Sequence, residues 1–155
     1  MDITSPVTGM AQPDLTSPTY TLAADTAPNP NGKQWYVSAL GGTQSGVTTH
    51  SLSFPFTVSI FRPSTFKTLS QGIMAMLGLV DAPRNVYKII VRKGSSINNL
   101  GGSAVNLLRI EYEIAANAPD MANGPEQIQA MFSLAGGVLV QLAPGFSNQV
   151  KSGSL

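Results

Sequence analysis

Residues 84–93, "RNVYKIIVRK", decide how the rest of the chain reads. Four of the nine basic residues fall here, with no acid, and they alternate with apolar ones. Tyr87, Ile89 and Val91 share one face of an extended strand, and Lys88, Ile90 and Arg92 share the other. Two further stretches have the same period. In "SLSFPFTVSIFRP" (51–63), Phe54, Phe56, Val58 and Ile60 alternate with Ser53, Thr57, Ser59 and Phe61. In "NLLRIEYEIA" (106–115), Leu108, Ile110, Tyr112 and Ile114 alternate with Leu107, Arg109, Glu111 and Glu113. If the three strands pair in sequence order as an antiparallel meander, their apolar faces make one floor. Thr57, Ser59, Lys88, Arg92, Arg109 and Glu111 then make one polar platform, with chemistry suited to phosphates and base edges.

Composition bounds what such a sheet can be. A chain of 155 residues predicts one domain, and 11% charged residues is well below the usual quarter, which favours a surface covered by other subunits. The net charge of +1 is too small to imply nucleic-acid binding, so local clustering has to carry that argument. From Ala82 through Ile110 there are five basic residues (Arg84, Lys88, Arg92, Lys93, Arg109) and no acid. Without cysteine, the chain has no disulfide, thiolate metal ligand or thiol nucleophile. The polar, proline-containing N-terminus lacks the pattern of a signal peptide, and the run "GIMAMLGLV" is too short to span a bilayer. A soluble protein is expected.

Outside the platform, residues 19–40 predict a hairpin turning at "NPNGKQ", with Gly32 suited to a positive φ, and residues 1–18 a preceding arm. Sheet strands are expected over 51–116, interrupted by an insert at 63–83 and a Gly/Ser/Asn-rich flexible loop at 94–106. From 122 to 155 the pattern is helical, with Ile128, Met131, Phe132, Ala135, Leu139 and Leu142 on one stripe. The glycines at 136 and 137 predict an end or bend, and Pro144 with Gly145 a stop. One helix is too narrow to cover the floor, so the fold class is α+β, an antiparallel sheet and C-terminal helices completed by a second copy as an isologous dimer.

An enzyme is not indicated. His50 is the single histidine, and no nucleophile elbow, phosphate loop or metal-ligand cluster accompanies it. Glu111 and Glu113 share a strand face as ordinary surface charge. The sequence therefore assigns no catalytic residue, metal, cofactor or small-molecule substrate. Alternating Lys and Arg is by itself the usual solvated face of an antiparallel sheet, and the absence of acids across its basic half is what turns the reading toward RNA. A shell or oligomeric β-protein without specific RNA binding, and a non-viral single-stranded nucleic-acid module, remain alternatives. The latter stack bases on exposed aromatics, of which the polar faces offer Phe61.

The order of "FTVSIFRP", "VYKIIV" and "IEYEIAANAPD" leading into "EQIQAMFSLAGGVL" resembles the coat proteins of small single-stranded RNA bacteriophages, the leviviruses. The resemblance covers most of the chain from about Thr19. It implies an intertwined homodimer, an icosahedral shell around genomic RNA, a location in the virion after synthesis in the host bacterial cytoplasm, and no membrane partner. It also implies that Thr57 and Ser59 form a pocket for an unpaired base of an RNA hairpin. Ile90 stands where the family has a Lys, with Lys88 two residues earlier, and Arg109 where it tends to have an acid or amide. The resemblance assigns no counterpart to the insert at 63–83.

Overall fold

The computed structural model describes residues 2–68, 82–97, 102–120 and 122–153. Six strands, β1 (Val7–Thr8), β2 (Leu15–Asp25), β3 (Gly32–Gln44), β4 (Phe56–Phe61), β5 (Arg84–Ser96) and β6 (Ser103–Ala115), precede a 3-10 turn at Ala118–Asp120 and a helix, α1 (Gly124–Ser152). All strands pair antiparallel in chain order, so the sheet is an uninterrupted meander. The N-terminal arm supplies its first edge strand, and the 19–40 hairpin lengthens at both ends into β2 and β3.

At the β2–β3 turn, the Asn29 side chain accepts the Asn31 N–H at 2.8 Å, and the Asn29 carbonyl accepts the Gly32 N–H at 3.0 Å. Gly32 has no positive φ, contrary to expectation. It is needed for space, since a Cβ there would meet two Phe61 ring carbons at 2.5 Å.

The expected loop at 94–106 is mostly strand. Pairing continues through Gly94↔Val105, Ser95↔Ala104 and Ser96↔Ser103. Glycine and serine lower strand propensity, but a neighbour already in register supplies ladder bonds at each step. Most of the expected insert, 69–81, lies outside the described residues.

The helix also differs from its sequence reading: it neither ends at the glycine pair nor stops at Pro144, and runs unbroken for 29 residues. Gly136 and Gly137 cost about 1 kcal/mol each in propensity and Pro144 about 3 kcal/mol with one lost hydrogen bond. Continuity offsets this by keeping Ile128, Met131, Phe132, Ala135, Leu139, Leu142, Phe146 and Val150 on one stripe, which a break would scatter. Gly153 closes the helix in the left-handed region, its N–H donating to the Gln149 carbonyl at 2.8 Å. By length and composition α1 matches a membrane span, but Glu126, Gln129, Ser133, Gln141, Asn148 and Lys151 on the opposite side make it amphipathic.

Within one chain the core is thin. Among the described residues its buried apolar side chains are Val37, Ile90 and Ala116, together with Pro18. The helix meets the sheet where Phe132 sets its ring edge-on to Tyr112 at 4.9 Å, and Tyr112 in turn stacks on Tyr87 at 5.3 Å. Beyond that the helix stands clear, and Met131, Leu134, Val138, Leu139, Leu142, Phe146 and Val150 are exposed.

Candidate nucleic-acid interface

The register turns the sequence's alternation into rows across the sheet. Directly paired residues share a face, so Asp25, Gln34, Ser59, Ile90 and Arg109 form one row. The next holds Ala23, Tyr36, Thr57, Arg92 and Leu107, and the one on the other side Gly32, Phe61, Lys88 and Glu111. All six platform residues read from the sequence therefore lie on one face. Trp35, Val58, Val91 and Leu108 form a row of the opposite, apolar face.

Side chains link the first two rows. Arg92 Nη1 donates to Ser59 Oγ at 3.1 Å, Ser59 Oγ donates to Gln34 Oε1 at 2.8 Å, and Gln34 Nε2 donates to Asp25 Oδ2 at 2.7 Å. The Gln34 amide holds the Asp25 carboxyl below the usual carboxylate range, aided by the Thr26 N–H and the nearby His50. Ser59 is 0% exposed and Thr57 5%, so the two hydroxyl residues form the bottom of the platform. The Ser59 hydroxyl fixes the direction of the Arg92 guanidinium.

The acid-free stretch of sequence does not remain acid-free once folded, because β6 brings its glutamates alongside. Glu111 lies 3.1 Å from Lys88 and 3.7 Å from Arg109, and Glu113 lies 3.6 Å from Arg84. These pairs are solvent-exposed and contribute little to stability, so incoming phosphates can compete for the cations. Lys93 leaves the cluster altogether for the opposite face. There it sits over the Phe56 ring at 5.2 Å and donates to Thr48 Oγ1 and the Gly94 carbonyl, with burial pushing its ammonium pKa down.

Gln34, Asp25, Tyr36 and His50 belong to this face or its border and were not legible as site residues. Tyr36 packs against the His50 ring at 5.2 Å, and His50 Nδ1 accepts the Phe56 N–H at 3.0 Å. The alternation of "QWYVSAL" placed Gln34 and Tyr36 together, but which side of β4 they joined depended on pairing across residues 45–55.

Among the described residues, no group of three His, Cys, Asp or Glu side chains is placed to hold a metal. A single antiparallel sheet with a projecting apolar helix and a polar face of cations and hydroxyls is the form of a subunit built to associate, a structural protein and not a catalyst. No family model and no curated protein matches the sequence. Solved structures do. The virus-like particle of bacteriophage ESE020 is similar with TM-score 0.82 and 43% identity over 100% of this chain and 99% of that one. The virus-like particle of Wenzhou levi-like virus 4 shares the fold, with TM-score 0.52 and 13% identity over 86% of this chain and 75% of that one. The chain belongs to the levivirus-like coat proteins, and it is a structural capsid protein of a bacteriophage virion, not an enzyme.

Proposed function

We propose that the chain forms an intertwined homodimer that assembles into an icosahedral shell around single-stranded genomic RNA, with the platform facing the RNA. The observation that carries this reading is the helix, whose apolar stripe is exposed from Met131 to Val150 in the single chain apart from the contact of Phe132 with Tyr112. A monomer rarely leaves that much continuous apolar surface in water. Beside it, β6 is an open sheet edge carrying exposed Val105, Leu107 and Leu108. An edge of 13 residues invites pairing with its own copy, which would continue the sheet across a twofold axis and bring each helix over the partner's floor.

On the other face, Lys88, Arg92 and Arg109 supply phosphate contacts, while Thr57 and Ser59 form the bottom of a base pocket whose cationic wall is Arg92. Glu111, between Lys88 and Arg109, accepts from base amino groups or orients the two cations. The pairing of Glu111 with two of the three cations also favours a second reading, a shell that holds RNA by charge without recognising one hairpin.

The experiment is RNA binding by dimers at several salt concentrations. Lys88→Ala, Arg92→Ala and Arg109→Ala should each weaken binding similarly across RNA sequences and flatten the salt dependence by about one phosphate contact. Thr57→Ala should reduce discrimination between hairpins more than total affinity, because base contacts specify while phosphate contacts position. Unchanged affinity and slope in all three charge variants would leave the platform as a solvated sheet face. Loss of affinity with no loss of discrimination in Thr57→Ala would support the second reading.

A further inference from the structure

Where β4 ends, the segment 62–68 turns back over the start of β5 and roofs a cavity of about 500 Å3 at the margin of the platform. Five cations line it, Arg62, Lys67, Arg84, Lys88 and Arg109, and among the described residues no carboxylate does. Arg84, Lys88 and Arg109 lean on Glu113 and Glu111 from outside the cavity. Arg62 and Lys67 have no carboxylate within ion-pair distance among the described residues. The glutamates offset part of the charge of Arg84, Lys88 and Arg109, and Arg62 and Lys67 add two more cations to the same polar hollow, which favours entry of an anion.

The roof is built, not draped. Asn85, only 9% exposed, uses both ends of its amide on the Lys67 backbone: Oδ1 accepts the Lys67 N–H at 2.9 Å, and Nδ2 donates to the Lys67 carbonyl at 3.0 Å. At the other end the Arg62 N–H donates to the Asn31 carbonyl at 3.0 Å, and its guanidinium lies 5.8 Å from the centre of the Phe66 ring. These two bonds fix the Lys67 backbone, and with it the root of the Lys67 side chain, at the rim of the cavity. The lining of the same cavity includes Phe61, whose ring lies close over Gly32.

We propose that this cavity takes one nucleotide of single-stranded RNA beyond the central platform, its phosphate among Arg62, Lys67 and Arg84 and its base against the Phe61 ring. An aromatic ring accepts any base, so the subsite adds affinity without adding sequence preference. The inference rests on the reading of the platform as RNA-facing, and it adds Arg62, Lys67 and Phe61 to that face, with Asn85 as a positioning residue.

The test titrates dimers with a single-stranded RNA oligonucleotide over a range of salt. Arg62→Ala with Lys67→Ala should weaken binding and make the slope of log K against log salt shallower by about 0.7 per cation removed. Phe61→Leu, which keeps apolar bulk over Gly32 and removes the ring, should weaken binding about tenfold at unchanged slope. Asn85→Ala should lose affinity with every charge still present, and Lys67→Arg should restore it in the single Lys67 background. If the Arg62/Lys67 pair changes neither affinity nor slope while Arg92→Ala changes both, the cavity assignment is overturned and the platform stands. If Arg92→Ala is also silent, both readings fall. If the pair variant binds RNA normally but no longer forms shells, the cavity holds an acidic segment of a neighbouring copy, and the nucleotide assignment is wrong.

Discussion

Replacing Phe132 tests whether the helix completes its core with a second copy. In the single chain this ring is 44% exposed and already touches Tyr112 edge-on at 4.9 Å, so roughly half of its burial is available only through association. Truncating a buried Phe to Ala costs about 3 to 5 kcal/mol. The share belonging to the dimer is then about 1.5 to 2 kcal/mol per subunit, and a twofold interface counts it twice, for about 3 to 4 kcal/mol. At about 1.4 kcal/mol per factor of ten, the dissociation constant should rise by about two to three orders of magnitude. Phe132→Asp adds a carboxylate to the same interface and should abolish the dimer, and with it the shell. Sedimentation of serially diluted protein reads the effect, as does a unfolding midpoint that shifts with protein concentration. Ser133→Ala, on the polar side of the helix, is the control and should dissociate like the parent. A Phe132→Ala protein as resistant to dilution as the parent, or a Phe132→Asp protein yielding normal particles, would refute the reasoning.

Ser59→Ala removes a fully buried hydroxyl that joins Arg92 to Gln34 and should cost about 1 to 2 kcal/mol in urea unfolding, since the partly exposed Arg92 can turn to water. The loss of RNA discrimination in that variant should exceed that in Lys88→Ala. Burial, and secondarily Tyr87, raises the Tyr112 phenol pKa above its ordinary value. The folded chain therefore holds that proton more tightly than the unfolded one, and the contribution of Tyr112 to stability is constant below about 10 and falls as pH rises beyond it. Tyr112→Phe should make the alkaline fall shallower, the rest coming from Tyr20, whose phenol pKa burial also raises, as measured by unfolding across the range. Shortening the β5–β6 connection at 97–102 should leave dimers intact and change particle size or yield; failure of the dimer to fold would make those residues part of the core.

The strands of the platform were legible because a period of two is the most direct signal a sequence carries, and the faces of β4, β5 and β6 follow from it residue by residue. Pairing in chain order then placed Ser59, Ile90 and Arg109 in one row. What linear reading lacked was the neighbour in space. The acid-free run 82–110 meets Glu111 and Glu113 only through the β5–β6 register, and Gln34 reaches Ser59 only through the β3–β4 register. The breaker residues misled for a related reason. Gly136, Gly137, Pro144 and Gly94 carry local penalties of about 1 to 3 kcal/mol, which a long amphipathic stripe or a paired strand outweighs.

The two faces of this sheet are coupled through that same period. Lys88, Ile90 and Arg92 serve the polar face only because Tyr87, Ile89 and Val91 serve the apolar one, and a shift of one residue in β5 exchanges them. Such a slip would bury Lys88 and Arg92 under the helix and set Tyr87 and Val91 among the hydroxyls of β4. The apolar floor therefore fixes the register that the cationic rows depend on. The Tyr87–Tyr112–Phe132 ring stack marks where that constraint passes from sheet to helix. Closing the helix over a partner's floor would remove water from the apolar face and so hold the register most firmly in the assembled state. If the platform faces RNA as proposed, affinity for RNA and assembly are coupled, and a variant that loosens the floor, such as Val91→Ala, should weaken RNA binding without touching a single polar side chain.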